Sequence, residues 1–163
     1  MTTLPRTGQR KVGSALVTSA AFAGASVDFS SIFVVAWASR ALCGAAAIFI
    51  AGYGPKPNGQ QNDGINLSVP EGTPVKAAED GVVAYAGNEL KGYGNLVLVR
   101  HSNGYVTAYA HASELLVKRG DPIKRGQVIA KSGQSGEVAS PQLHFEIRKG
   151  SSPVDPLQFL NGA

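Results

Sequence analysis

Short apolar runs separated by turn residues dominate the chain beyond residue 64. We predict strands over residues 75–78, 82–86, 95–100, 105–110, 128–131 and 142–149. Asn103-Gly104 stands between two of these runs and predicts a hairpin with a two-residue loop. Only residues 112–117 have the pattern of a helical turn. Regular short strands of this kind predict an all-β fold, either a mainly antiparallel sandwich or a partly open barrel.

The last predicted strand, residues 142–149, separates its side chains onto two faces because side chains alternate along a strand. Leu143 and Phe145 can bury one face, so His144 lies on the other. A second histidine, His111, follows another predicted strand. Two histidines on neighbouring strands can meet in a cleft, which is the geometry of a metal-hydrolase site.

Residues 1–25 have the layout of an export signal. Arg6, Arg10 and Lys11 form a basic start, and residues 14–25 are a short apolar run that ends in small side chains. The run is too short to cross a bilayer. We therefore predict a signal peptide, with a poorly ordered basic N-terminus as the alternative.

An apolar segment of uncertain role follows, over residues 26–51. Residues 33–51 of this segment are long enough to cross a bilayer, but Arg40 near their middle would cost about 2.5–3.5 kcal/mol there. A membrane anchor is therefore an alternative that we do not favour. Residues 47–51 can instead be the first strand of a domain, which we place at residues 52–160.

Composition excludes several classes of function. The net charge is only +4 and the basic residues are scattered, without the basic clusters and interleaved aromatics that indicate nucleic-acid binding. A mild positive charge favours an anionic partner such as a cell-wall polymer. The single cysteine, Cys43, excludes an internal disulfide and a multi-cysteine zinc site.

Two turns echo each other, at residues 71–76 and 119–124. Such paired turns also occur in biotinyl and lipoyl carrier domains, which carry a modified lysine in a tight turn. The corresponding turns here, residues 79–81 and 124–126, lack the residues that flank that lysine. A carrier domain is therefore kept only as an alternative.

Residues 52–160 resemble the lysostaphin/LytM-type zinc endopeptidases, which cut peptide cross-links in bacterial cell walls. The resemblance rests on an ordered series of motifs at residues 62–66, 92–95, 109–111, 133–136, 142–146 and 154–156. It implies a compact, mainly antiparallel β domain with a barrel-sandwich character and a groove that holds zinc.

The residues that act in this family are largely replaced. A histidine and an aspartate that bind zinc in active members correspond to Asn62 and Asn66, while the third ligand is retained as His144. One catalytic histidine is retained as His111 and the other is replaced by Gln142. Amides are poor zinc ligands and cannot take up a proton near neutral pH. We therefore assign no confident catalytic or metal-binding residue and expect no cofactor.

Neighbouring polar residues are interpreted as structural. His101 lies between two strands, and Glu146 is expected to pair with a neighbouring strand or with Arg148. Asp63 is out of register with the ligand positions and would reach a metal only after a local rearrangement.

Degenerate members of this family, such as the NlpD/EnvC group, activate cell-wall amidases. The likeness to that group extends over residues 85–95. It predicts a periplasmic or cell-envelope protein of peptidoglycan remodelling and cell separation, whose partner is an amidase, peptidoglycan or both. The groove residues expected to meet the partner are Asn62, Asn66, Tyr93, Tyr109, His111, Gln142 and His144. An active zinc endopeptidase is the main alternative.

Overall fold

The structure is a computed structural model that describes residues 42–43 and 47–159. Within this part it contains twelve strands, β1 to β12, a short C-terminal helix, α1, and the helical residues Leu42 and Cys43. The strands span Ile48–Ala51, Gly54–Pro55, Gln61–Asn62, Ile65–Ser68, Pro74–Lys76, Gly81–Gly87, Asn95–Arg100, Tyr105–Leu115, Pro122–Ile123, Val128–Ser132, Gln142–Lys149 and Ser152–Val154, and α1 spans Pro156–Phe159. The predicted all-β fold is confirmed.

Ten of these strands form one sheet whose pairs are antiparallel. The main order is β1-β4-β11-β8-β7-β6-β9, while β10 joins β8 to β5, and β12 pairs with β11. The strands β2 and β3 form a separate two-stranded sheet. The adjacent strands β4, β11 and β8 of the main sheet carry Asn66, Gln142, His144 and His111.

The core is built from the apolar face that the alternation predicts. Leu143 and Phe145 of β11 pack in one cluster with Leu67 of β4, Val97 of β7 and Ile129 of β10. Each is at most 2% exposed. Burial of this continuous apolar face on one side of the sheet holds the strands in register, because a slip of one residue would turn every side chain to the opposite face.

The predicted helical turn at residues 112–117 is wrong. Strand β8 continues to Leu115, and its last part pairs with β10, placing Ala112 opposite Ser132. Pairing with a strand distant in sequence satisfies the backbone there, so tertiary context overrides the local helical pattern.

The hairpin between β7 and β8 is present, but its loop is longer than two residues. Strand β7 ends at Arg100 and β8 begins at Tyr105. The His101 N–H donates to the Tyr105 carbonyl oxygen at 2.9 Å, which leaves three residues at the tip.

His101 is a buried structural residue. Its Nδ1 lies 2.7 Å from the Asp80 carbonyl oxygen, and its Nε2 lies 2.9 Å from the Thr107 hydroxyl. Both ring nitrogens are therefore occupied by contacts within the fold.

The ordered domain begins ahead of residue 52. Strand β1 pairs with β4, with Phe49 opposite Leu67, so the alternative in which residues 47–51 form the first strand is confirmed. Leu42 and Cys43 are helical and buried in the same core. Within the described ranges, no helix has the length and apolar character needed to cross a membrane. The predicted signal peptide and Arg40 lie outside the described residues.

Candidate functional site

An open cleft of about 460 Å³ lies over the centre of the main sheet. Its lining residues are Lys56, Gln61, Asn62, Asp63, Asn66, Gly92, Tyr93, His111, Glu137, Val138, Ala139, Gln142 and His144. Six of the seven residues expected in the groove are therefore together, and Tyr109 is the exception.

Tyr109 belongs to the core instead. It is 1% exposed, its ring centroid lies 5.3 Å from that of Phe145, and its hydroxyl accepts the Ala78 N–H at 2.8 Å. Burial raises the pKa of Tyr109 to about 12. The placement of Tyr109 in the groove is therefore wrong. Tyr109 and His111 would share a face on a regular strand, but β8 is irregular between them and only His111 reaches the cleft.

An irregularity in strand β8 turns the His111 side chain into the cleft. The pairing of β7 with β8 shifts register in this region, and His111 has a φ of 65°, a left-handed conformation that few residues adopt. The His111 N–H donates to the Tyr93 carbonyl oxygen at 2.9 Å, outside the regular ladder. Strain of this kind persists only where the surroundings hold it.

The His111 ring has one bound nitrogen and one open nitrogen. Nδ1–H donates to the Ser135 carbonyl oxygen at 2.8 Å. In the described part of the chain, every fully buried side-chain nitrogen or oxygen has a partner, so the unpartnered Nε2 must be open to the cleft. Burial lowers the pKa of His111, the bond to Ser135 opposes that shift, and the charge of His144 adds to it. The neutral ring therefore presents a lone pair at Nε2.

The amides on the cleft floor form a chain of hydrogen bonds with one another. The Asn62 Nδ2 group donates to the Gly52 carbonyl oxygen at 2.7 Å and to Asn66 Oδ1 at 3.1 Å. The Asn66 Nδ2 group donates to Gln142 Oε1 at 2.9 Å. His144 Nδ1 lies 3.2 Å from Asn66 Oδ1. These contacts join β3, β4 and β11 at the floor.

Under this floor lies a buried charge network around Glu146, which is 1% exposed. Its Oε1 accepts from His144 Nε2 at 2.8 Å and from the Tyr93 hydroxyl at 3.1 Å, and its Oε2 accepts from Arg148 Nε at 2.7 Å. Arg148 also donates to Asp63 Oδ2 at 3.2 Å. The predicted pairing of Glu146 with Arg148 is confirmed.

The network controls the ionisation of Glu146. Burial by itself would raise the pKa of Glu146, but the hydrogen bonds and charges of His144 and Arg148 outweigh it and lower the pKa to about 2. The charged carboxylate is therefore the stable form at every pH near neutrality.

We expect the low pKa of Glu146 to make the fold sensitive to acid. Because the folded pKa of about 2 lies below the ordinary value of 4.5, the stabilisation is complete above pH 4.5 and is lost as the pH falls towards 2. This lowering of the Glu146 pKa corresponds to about 3 kcal/mol of unfolding free energy. Urea unfolding at several pH values in this window measures the effect. In Glu146→Gln this acid-dependent part should disappear, and an unchanged pH slope in that variant would contradict the assignment.

The wall of the cleft depends on two loops whose backbones touch. The Glu137 N–H donates to the Gly92 carbonyl oxygen at 3.1 Å. Gly136 has a φ of 81°, and a Cβ there would lie 2.5 Å from the same Gly92 oxygen. No side chain fits between these loops, which explains the glycines of the two motifs.

Gly136→Ala is expected to destabilise the fold more than Gly126→Ala. Both glycines have a φ near 80°, but no atom lies within 4 Å of the Cβ position at Gly126. The control variant should cost about 1–2 kcal/mol for the left-handed backbone alone. The clash at Gly136 should add about 1–3 kcal/mol. Equal losses in urea unfolding would show that the two loops are not in close contact.

The residues on the floor do not fit a zinc ion. Protein zinc is held by thiolate, imidazole or carboxylate groups. Asn66 Oδ1 already faces the N–H of Asn62, and Asp63 is held by Arg148. The described ranges contain no group of three or more His, Cys, Asp or Glu side chains arranged to hold a metal. His144 is the one conventional ligand among the floor residues.

Three polar residues on the cleft rim were missed by the sequence reasoning. Lys56 and Gln61 lie between residues 52 and 64, where the sequence predicts no strand, and Glu137 directly follows one of the family motifs. Loops and two-residue strands such as β3 have no periodicity that shows which side chains face a cleft, so only proximity to the motifs could have indicated these residues.

The fold and cleft define a lysostaphin-like β domain with hydrogen-bonded amide side chains on the cleft floor. Residues 60–156 match the family described as Peptidase family M23. This match covers more than half of the chain, and the chain belongs to that family. The resemblance predicted from the motifs is confirmed, and the family match favours it over a carrier domain.

Individual relatives agree with this assignment. The chain is 47% identical over 117 residues to the cell division protein DipM of Caulobacter vibrioides, covering 68% of this chain and 19% of that protein. It is 44% identical over 99 residues to the murein hydrolase activator NlpD of Escherichia coli, covering 61% and 26% respectively. The chain therefore spans less than two thirds of these curated relatives.

Among solved structures, the chain is similar to the catalytic domain of lysostaphin from Staphylococcus simulans. The TM-score is 0.67 and the identity is 35%, over 71% of this chain and 93% of that domain. The likeness extends over the whole β domain.

Proposed function

We propose that the protein is a non-catalytic regulator of a cell-wall amidase, acting in the bacterial envelope during peptidoglycan remodelling and cell separation. The observation that carries the proposal is the chain of amide hydrogen bonds through Asn62, Asn66 and Gln142, the residues that correspond by resemblance to the family's zinc site. A domain that keeps the fold and the cleft without a metal-binding set can bind a peptide without cutting it.

The chemistry of the cleft supports binding rather than hydrolysis. Cleavage of a peptide bond needs an activated water and a base that accepts its proton. Gln142 cannot accept a proton near neutral pH. His111 has its Nδ1 bound to the Ser135 carbonyl oxygen, and no described contact joins its Nε2 to an acidic or basic side chain. We expect no cofactor to be required.

The relatives support the kind of partner and the location. One relative is named a murein hydrolase activator, another a cell division protein, and others are lipoproteins. Together with the export signal predicted over residues 1–25, these names favour a place in the cell envelope. An amidase is the partner that we propose, with the amidase carrying out the hydrolysis.

The test combines the 163-residue protein with each purified cell-wall amidase of the source organism and dye-labelled peptidoglycan. We expect no label release by the protein alone and a several-fold faster release by at least one amidase when the protein is added. Heat-denatured protein serves as the control. Release by the protein alone would show an endopeptidase, and no effect on any amidase would refute the regulator proposal.

A further inference from the structure

Most hydrogen-bonding groups on the floor of the cleft are already bonded within the fold. Asn62 uses its N–H groups on Gly52 and Asn66, Asn66 uses its amide on Gln142, and His144 is held by Glu146. A ligand that bonded to these groups would first have to break an internal hydrogen bond, so the exchange would bring little net gain.

The rim is different, because two of its charged side chains and one of its ring nitrogens have no partner within the described part of the chain. Lys56 is half-buried, yet its ammonium group forms no ion pair there. The Glu137 carboxylate likewise has no ion pair with a described residue. His111 Nε2 is open to the same cleft. The rim thus presents one cation, one anion and one hydrogen-bond acceptor.

We propose that the cleft recognises an extended peptide segment of the amidase through this rim, with His111 Nε2 accepting an N–H of the segment, Lys56 pairing with an acidic side chain and Glu137 pairing with a basic one. The inference rests on the proposed function and adds to it the chemistry of the bound segment. The floor then acts as a rigid support that keeps the two walls apart.

A protein segment fits this chemistry better than a glycan strand. Sugar rings are commonly held by packing their C–H faces on exposed aromatic rings, whereas the only Phe, Tyr or Trp among the lining residues is Tyr93. Its hydroxyl is bound to Glu146, and its ring lies tilted against His144 at 6.1 Å between centroids. Opposite charges at one rim suit a chain that carries both signs, and a volume of about 460 Å³ admits a few residues of such a chain.

The position of His111 supports a dedicated role in binding. Its backbone is held at a φ of 65°, where a histidine is strained, and its Nδ1–H is fixed by the Ser135 carbonyl oxygen. The fold therefore orients Nε2 before a ligand arrives, which lowers the entropic cost of binding.

The experiment measures binding of the 163-residue protein to the amidase that it stimulates, together with the stimulation itself. The rim variants are Lys56→Glu, Glu137→Lys and His111→Asn, since asparagine tolerates the left-handed backbone. Lys118→Glu and Glu71→Lys are matched charge-reversal controls at exposed positions outside the cleft. Thermal unfolding of each variant checks that the folded fraction is unchanged.

We expect each charge reversal at the rim to weaken amidase binding about ten-fold or more at low salt, with a smaller loss at high salt. His111→Asn should weaken it roughly three- to ten-fold at either salt concentration. The two controls should bind like the unmodified protein. Overlapping synthetic peptides from the amidase should include one that competes for the cleft and carries both an acidic and a basic residue.

The outcomes separate this inference from the proposed function. If the unmodified protein stimulates an amidase and all three rim variants bind it normally, the rim proposal is overturned while the regulator proposal stands. If the rim variants lose binding to purified peptidoglycan fragments but keep amidase binding, the occupant is the wall and not the amidase. If the unmodified protein stimulates no amidase, both proposals fail.

Discussion

Replacement of Arg148 by methionine is expected to lower the free energy of unfolding by about 3–5 kcal/mol, because it leaves a buried carboxylate without its cation. Arg148 Nε lies 2.7 Å from Glu146 Oε2, and the Glu146 side chain is only 2% exposed. Methionine keeps most of the length and the apolar stem of arginine, so the loss reports the charge. Urea denaturation at neutral pH measures the effect as a lower midpoint with an unchanged slope.

Lys149→Met is the matched control for this variant. Lys149 is the next residue of the same strand, it is exposed, and it forms no ion pair with the residues that the structure describes. Its replacement should change the stability by less than about 0.5 kcal/mol. If Arg148→Met cost less than about 1 kcal/mol, Glu146 would have to be solvated or neutral in the fold, against the assigned network.

The large effect expected for Arg148 also bears on the cleft. The Glu146 carboxylate connects Arg148 to His144 and Tyr93, which line the cleft, and Arg148 reaches Asp63 at its edge. Such a network fixes rotamers on both sides of the floor, because every member is held by at least one charge-assisted hydrogen bond. We therefore expect Arg148→Met to reduce amidase stimulation along with stability.

Much of the fold was predictable because its signals are local. Turn residues mark the strand ends, and the alternation of Leu143 and Phe145 with His144 predicts correctly which face of β11 is apolar. The opposite face of that strand is buried as well, since Glu146 is covered by its own charge network. Alternation thus predicted the direction of the side chains, and the contacts across strands decided their exposure.

The failures share a cause that lies outside any local pattern. The helical turn expected at residues 112–117 is a strand because β10 supplies its hydrogen-bond partners. Tyr109 was placed in the groove because it shares a family motif with His111, but the register shift near His111 turns only the histidine into the cleft and leaves Tyr109 in the core. Lys56 and Glu137 were missed because their loops meet at the cleft only in three dimensions.

The protein as purified is expected to hold no stoichiometric zinc, whereas the combined variant Asn62→His, Asn66→Asp and Gln142→His is expected to bind one zinc ion at neutral pH. The side chains at positions 62, 66 and 144 already converge, since Asn66 Oδ1 lies 3.1 Å from Asn62 Nδ2 and 3.2 Å from His144 Nδ1. The substitutions at positions 62 and 66 would supply an imidazole and a carboxylate beside the imidazole of His144, a ligand set typical of catalytic zinc sites.

The fold already contains a carboxylate that can orient a zinc-binding histidine. A histidine that binds zinc usually donates its other N–H to a carboxylate, and His144 Nε2 already donates to Glu146 Oε1 at 2.8 Å. Elemental analysis after dialysis, and competition against a chromophoric chelator, measure zinc in both proteins, with the combined variant carrying His144→Ala as the control that removes the third ligand. One zinc per chain in the unmodified protein would contradict the proposed metal-free function. Failure of the combined variant to bind zinc more tightly than its His144→Ala control would show that the floor does not have the geometry of a metal site.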